Sequence, residues 1–379
     1  MKICFIAPAN NYHTQKWCHW FRNRGHQVDV ISFTEGEIEG CTVHYINSGA
    51  GVRGSDAQKL KYLFQARKVH EIVNEIKPDV INAHYATSYG TVAALAGLPP
   101  YYLSVWGSDV YDFPKKSILH RMMLQFSLNR AAYLLSTSKA MAKEASQYTR
   151  KPFTITPFGV DCELFSPDKT PGKRYDAVNT KNGRDYVIGT VKSLSDKYGI
   201  ATLLRATALL KKQHPEVPVQ LRIAGKGPQE NEYKALAKEL GIENITNWIG
   251  FIPQEQAALA WASMDCGILP SESESESESF GVSAVEAQAC CTPVIISDIP
   301  GLMEATVPGK TSVVVPRKHP QELAQAMFEM YMDADKRHEF GQAGRKFVCE
   351  TYELNQCFEK IEEVYLKNAK KQKGVKTPV

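Results

Sequence analysis

From Lys2 onward, short runs rich in β-branched and aromatic residues alternate with amphipathic stretches of helical period, and the alternation occurs as two successive sets. A strand, a helix that carries the chain back and a further strand make the pattern of a parallel sheet, because parallel strands need a crossover between them. The first set predicts strands at 2–7, 27–32, 80–83, 102–105 and 132–136, with helices near 15–24, 57–76, 90–96, 116–129 and 139–148. The second predicts strands at 186–191, 219–224, 246–249, 266–269, 293–297 and 312–315, with helices near 200–213, 229–240, 254–263, 282–289 and 321–332. Two doubly wound α/β domains follow. A chain of 379 residues also exceeds what one hydrophobic core usually supports. Between the sets, Ser166-Pro167-Asp168-Lys169-Thr170-Pro171-Gly172-Lys173 and the polar stretch to Asp185 have a linker's composition. The expected domains are therefore 1–168 and 186–350, followed at 351–379 by a helix near 354–367, free to pack back on the first domain, and a solvated basic tail at 370–373.

With 43% hydrophobic and 23% charged residues, the chain falls outside the disordered class. The apolar run at the start stops at Pro8, too short for a signal-peptide core, and no stretch approaches the roughly 18 apolar residues of a membrane span. Nine cysteines without a Cys-x-x-Cys spacing read as free thiols, and a cytoplasmic protein is expected. Residues 1–160 carry 18 Lys and Arg against 11 Asp and Glu. That excess suits anionic lipid, a phosphorylated acceptor or nucleic acid, but no aromatic-basic module supports nucleic acid.

Ser271–Ser279 is a strict Ser-Glu alternation. Two alternating polar residues bury nothing, so Glu272, Glu274 and Glu276 read as an exposed acidic loop. Glu278 differs, because Glu278-Ser279-Phe280-Gly281-Val282-Ser283-Ala284-Val285-Glu286 reads as a strand end, a glycine turn and a helix. The N–H groups of Phe280, Gly281, Val282 and Ser283 would face outward at the positive end of that helix, a place for a diphosphate. Simple glycine capping is the alternative. Glu278 before the turn and Glu286 inside the helix could then take hydroxyls on opposite sides of the diphosphate.

The segment from Pro270 to Ala305 resembles the retaining glycosyltransferases of family 4, of the glycosyl transferases group 1 type, in its Pro-Ser, Glu-x7-Glu and Pro-Val-Ile elements. Gly159-Val160-Asp161 with Phe165, Ile223-Ala224-Gly225-Lys226-Gly227-Pro228 and Trp248-Ile249-Gly250-Phe251 support the likeness, which covers nearly the whole chain. It implies a GT-B architecture, two Rossmann-like domains facing a central cleft, with the donor on the second and the acceptor on the first. By resemblance Glu278 contacts the transferred sugar, Glu286 holds the ribose, and Lys192 and Lys197 neutralise the diphosphate. Fixed cations suit a departing nucleoside diphosphate, although Lys192 stands where the family often has Arg, with the charge kept and bidentate geometry lost. Gly225, Gly250 and Phe251 lie in segments that flank the nucleobase in the family.

On the acceptor side the chain departs from the family. The first loop, Pro8 to Trp17, replaces the usual Gly-Gly, and Asn10, His13 and Lys16 become candidates for contact with phosphate or acceptor. Trp106 stands where the family often has a histidine; an indole cannot exchange a proton at neutral pH but can stack on a sugar, with a core aromatic as the alternative. Asp109 and His84 complete the acceptor candidates, with a helix N-cap as the alternative for Asp109. The basic stretch 115–130 is either a domain helix whose Ile/Leu/Met face packs on the sheet or a surface that rests on anionic membrane at its inner face.

The expected activity is transfer of a sugar, with retention, from a UDP- or GDP-type donor to a glycan or lipid-linked acceptor in polysaccharide or glycolipid assembly. No Asp-x-Asp motif suited to Mg2+ or Mn2+ appears, so neither metal nor cofactor is expected. An epimerase or phosphorylase of the same fold and a non-catalytic nucleotide-binding protein remain alternatives. A Rossmann dehydrogenase would want Gly-x-Gly-x-x-Gly after the first strand, where Ala7-Pro8-Ala9-Asn10 stands.

Overall fold

The computed structural model describes residues 1–49, 60–169, 185–272 and 278–374, with side chains as far as 369. They form two compact units, Met1–Phe158 with the chain from Phe358, and Gly159–Cys357.

The first unit contains β1 (Lys2–Ile6), β2 (Gln27–Ser32), β3 (Thr42–Tyr45), β4 (Val80–His84), β5 (Tyr102–Val105), β6 (Tyr133–Ser136) and β7 (Phe153–Ile155). They make one sheet in the order β3-β2-β1-β4-β5-β6-β7, with every pairing parallel. β4 and β5 are buried throughout, as strands covered on both faces must be. One layer packs Ile6, Ile31, Val73, Val92 and Leu103 into a common core. Elsewhere in the unit, Trp17 and Phe21 meet Phe358 and Tyr365 of the last helix, Leu354–Gly374, with ring centroids 5.4 and 5.5 Å apart. The helix is fixed there by hydrogen bonds from Asn82 Nδ2 to the Tyr365 hydroxyl (2.6 Å) and from the Tyr102 hydroxyl to the Val364 carbonyl (3.1 Å).

The second unit contains β8 (Tyr186–Val191), β9 (Val219–Ala224), β10 (Thr246–Gly250), β11 (Cys266–Leu269), β12 (Val294–Ser297) and β13 (Ser312–Val315), again parallel, in the order β10-β9-β8-β11-β12-β13. Both sheets are doubly wound. Strand order reverses between β1 and β4 and between β8 and β11, and beyond the carboxyl ends of such strand pairs ligands find a crevice.

Several expectations need correction. The division falls at Phe158 rather than at 168. Val160 N–H donates to the Tyr352 carbonyl (2.8 Å) and Arg345 donates to the carbonyls of Phe165 (3.0 Å) and Cys162 (3.1 Å), tying this stretch to the second unit. Most of the linker, residues 170–184, lies outside the described residues. The last helix runs on to Gly374 instead of ending near 367. Strands β3 and β7, and the 18-residue helix Ala334–Thr351, were not legible from periodicity. Of the helix expected at 57–76, residues 57–59 lie outside the described residues, and the rest is a 3-10 segment, Leu60–Gln65, leading into a helix at Ala66–Ile76. None of the nine cysteines is in a disulfide, and among the described residues no helix is long and apolar enough to cross a membrane.

Candidate functional site

Lys192 follows β8, and its N–H donates to the Ala224 carbonyl (2.8 Å), so the sheet ladder fixes its backbone. Its Nζ lies 2.5 Å from Glu278 Oε1, with 13% and 7% of the two side chains exposed. Ser271 Oγ donates to the same carboxylate oxygen at 3.3 Å. Ser283 Oγ lies 3.5 Å from the ammonium and donates to the Val191 carbonyl at 3.2 Å. Burial would lower the Lys192 pKa, but Glu278, Tyr198 and Glu286 outweigh it and hold the ammonium above its ordinary value. Lys192 therefore stays protonated, paired with Glu278, at β8/β11.

A second cation is held beside it. Lys192 Nζ stands 4.6 Å and Lys197 Nζ 5.2 Å from the centroid of the Tyr198 ring, so one aromatic quadrupole attracts both ammonium groups. Lys197 and Tyr198 belong to a 3-10 turn, Asp196–Tyr198, that ends at Gly199 with φ +67. A Cβ at Gly199 would collide with the Pro270 carbonyl, so glycine lets this turn close on the chain leaving β11. Glu272 N–H donates to the Lys197 carbonyl (2.9 Å), and its carboxylate accepts from Thr202 Oγ1 (2.5 Å). Glu272 is thus a latch rather than part of a solvated loop, while Glu274 and Glu276 lie outside the described residues.

The helix Val282–Ala289 begins after Gly281 as expected, but its N-terminus is less open. Val282 N–H already donates to the Phe280 carbonyl (2.7 Å) and Gly281 N–H to the Gly301 carbonyl (3.4 Å). The expected set of four donors reduces to Phe280 and Ser283. The Phe280 ring is buried edge-on against Tyr352, at 5.0 Å. Glu286, partly exposed on this helix, is near enough to act on Lys192, so both glutamates bear on one cation. Gly225 N–H donates to the Gly250 carbonyl (2.7 Å), and a Cβ on Gly225 would strike the Lys192 carbonyl. The turn after β9 is thereby packed against the lysine backbone, and beyond Gly250 the side chain of Phe251 stands 74% exposed.

In the first unit, the loop after β1 ends at Asn11, whose Oδ1 caps the helix Tyr12–Asn23 by accepting from His13 N (2.9 Å) and Thr14 N (3.3 Å). Asn10 is exposed and Lys16 half-buried. His13 stacks on Phe158 at 4.0 Å and meets Trp106 at 6.0 Å, and Trp106 lies 4.4 Å from His84. Burial, then the Lys16 charge, pushes His13 down to about 3; burial, then His13, pushes His84 down to about 3. Both imidazoles are therefore neutral. His84 is fully enclosed by Phe5, Trp17 and Trp106, and among the described residues neither of its ring nitrogens has a hydrogen-bond partner. It backs the cluster instead of lining an open edge. Trp106 is only 6% exposed, so of its two readings the core aromatic holds and an open stacking platform does not.

Asp109 also has another role than the expected contact with an acceptor hydroxyl. Its buried carboxylate accepts from the N–H groups of Ala86 (2.8 Å), Gly107 (2.8 Å) and Trp106 (3.2 Å), clamping the loops after β4 and β5 together. Burial raises its pKa against the pull of those donors. The chain's single Asp-x-Asp, Asp333-Ala334-Asp335, starts a helix, where Asp333 Oδ1 accepts from Lys336 N at 2.8 Å. Among the described residues no group of three or more His, Cys, Asp or Glu is placed to hold a metal ion.

The sequence reading missed Tyr198 and Thr202. The only signal was the position of Tyr198 between Lys197 and Gly199.

Comparison with known proteins is consistent along the chain. Residues 173–347 match the family described as glycosyl transferases group 1, and residues 2–138 match glycosyl transferase 4-like. A D-inositol 3-phosphate glycosyltransferase of Pseudarthrobacter chlorophenolicus is 26% identical over 309 residues, covering 73% of this chain and 70% of that protein. The protein of the same name from Corynebacterium urealyticum is 33% identical over 194 residues, but these span only 43% of its length and 48% of this chain. Among solved structures, Anabaena Alr3699/HepE in complex with UDP superposes with a TM-score of 0.78 at 20% identity, covering 97% of this chain and 100% of that one. Sucrose-phosphate synthase from Thermosynechococcus elongatus gives a TM-score of 0.78 at 20% identity, covering 97% and 98%. The structural likenesses carry the fold of two Rossmann-like domains.

Proposed function

This chain is a group 1 glycosyltransferase of the GT-B architecture that uses a nucleotide sugar, and on that premise we propose that it takes the sugar from a UDP-linked donor and transfers it with retention of configuration. The observation that carries the reading is the pair of ammonium groups, Lys192 and Lys197, held by Tyr198 beyond the ends of β8 and β11 and opposed by Glu278. Negative charge develops on the diphosphate as the glycosidic bond breaks, and fixed cations stabilise it without reorganising. Entry of the diphosphate gives Lys192 a second anionic partner and frees Glu278 to accept from a hydroxyl of the transferred sugar. Glu286 is assigned to the ribose, with Phe280 and Ser283 donating to the phosphates and Gly225, Gly250 and Phe251 flanking the base.

Lysine charges in this role make the reaction metal-independent. The acceptor, a glycan or a lipid-linked glycan in polysaccharide or glycolipid assembly, is assigned to the first unit, where the loop carrying Asn10, His13 and Lys16 follows β1. UDP is favoured because the Alr3699/HepE structure is a UDP complex, and GDP is the alternative.

Saturation-transfer NMR across UDP-, GDP-, ADP- and CMP-sugars tests the donor, and the anomeric coupling of the product tests retention. UDP-sugar binding that persists in EDTA and is weakened by Lys197→Ala is expected. Preference for a CMP-sugar, or full turnover by both Lys197→Ala and Glu278→Ala, would overturn the reading.

A further inference from the structure

The helix Ile118–Arg130 was expected either to turn its Ile/Leu/Met face to the sheet or to rest on a membrane. Only Leu124, Ser127 and Leu128 are buried within it. Ile118, Leu119, Met122 and Phe126 point outward, with 67%, 72%, 57% and 40% of their surface exposed. At about 100° per residue these four occupy an arc roughly 100° wide, on the side opposite the packed residues. The helix therefore carries two apolar faces, one built into the unit and one with four large side chains in the open. Ser117 fixes where it starts, its Oγ accepting from His120 N at 3.4 Å and lying 2.7 Å from His120 Nδ1.

Between Asp112 and Glu144 the charged residues of this stretch are all basic. From residue 113 to 143 the chain has six basic residues, Lys115, Lys116, Arg121, Arg130, Lys139 and Lys143, and no Asp or Glu. All six are exposed. Lys115 comes within 3.8 Å of Glu144, with half of its own side chain in the open, so that contact neutralises little of the patch.

We propose that this outward face docks the enzyme on the surface of an anionic bilayer. Ile118, Leu119, Met122 and Phe126 would enter the boundary between headgroups and acyl chains, while the lysines and arginines at the rim take lipid phosphates. The charge pattern selects this occupant over a second copy of the chain, because a symmetric contact through this face would bring the basic rim against itself. The inference deepens the proposed function, resting on it only for its purpose: a lipid-linked acceptor is met at such a surface.

The test floats the full-length protein with phosphatidylcholine vesicles, with and without phosphatidylglycerol, and involves neither donor nor acceptor. Failure here therefore differs from failure of the donor assignment. Binding is expected only with the anionic lipid and is expected to fall with added salt. Lys115→Glu with Lys116→Glu should weaken partitioning by more than about tenfold, since each basic residue near such a surface contributes roughly fivefold. Ile118→Ser with Met122→Ser should remove the binding that survives high salt. These positions are exposed, and circular dichroism checks that each variant is folded. Absence of flotation, or flotation unchanged in both double variants, would overturn the proposal. So would a dimer in sedimentation that Ile118→Ser dissolves, since a second copy would then occupy the face.

Discussion

Lys192 Nζ and Glu278 Oε1, from segments that follow different strands, meet at 2.5 Å in a site that leaves only 13% and 7% of their side chains in contact with solvent. Each covers the other's charge until a ligand arrives. Lys192→Ala is expected to lower turnover by about 10²–10³. It should also destabilise the fold by about 3–5 kcal/mol, because a buried carboxylate is left without its cation. Adding Glu278→Ala should restore most of the stability and none of the activity. Urea midpoints and steady-state rates separate the two effects, and a double variant as unstable as the single one would refute this account.

Tyr198 attracts both lysines through its ring. Tyr198→Phe should therefore keep the donor KM near that of the parent. Tyr198→Ala should raise it on the order of tenfold, with two cation–π contacts of about 0.5–1 kcal/mol each removed. Equal KM values for the two variants would show that the ring holds nothing.

Asp109 accepts three backbone N–H groups in a buried position. Asp109→Ala leaves them unsatisfied, and a loss of about 2–4 kcal/mol is expected in chemical denaturation. Affinity for the proposed UDP donor, assigned to the second unit, should stay unchanged while acceptor-dependent turnover falls.

His13 and His84 are both depressed to about 3. Unfolded histidine titrates near 6.5, so between about pH 6.5 and 3 the unfolded chain binds protons that the folded chain refuses. The stability tied to their neutral form is complete above about pH 6.5 and declines as pH falls, by about 1.4 kcal/mol per pH unit for each histidine. His84→Gln should flatten that slope in thermal scans between neutral and mildly acidic pH. A slope unchanged by the substitution would mean that His84 is not held neutral.

The strands of both sheet centres were legible because β1, β4, β5, β8 and β11 are buried runs with short, well-marked ends. β3 and β7 escaped because β3 is half-exposed and β7 has only three residues, so neither offers a pattern of period two. The helix Ala334–Thr351 escaped because its buried positions include Arg337, Gly341 and Gly344, which carry no apolar signal. At the site, Lys192, Lys197, Glu278 and Glu286 could be named from the resemblance to family 4, because its motifs are linear stretches of sequence. What Tyr198, Glu272 and Asp109 do could not be named, because each acts through a partner brought near only by the fold. Gly281 and Val282 misled for the same reason, their N–H groups being engaged by Gly301 and Phe280.

The discontinuity of the first unit also bears on how the protein is made. Gly159–Cys357 is one uninterrupted stretch and can close its core as soon as it leaves the ribosome. Trp17 and Phe21, synthesised long before, lack Phe358 and Tyr365 until the helix Leu354–Gly374 has been made. The nascent chain therefore finishes its second unit before its first, with an aromatic surface uncovered in the interval. A chimera that exchanges the first half between two such enzymes must take the last helix from the same parent.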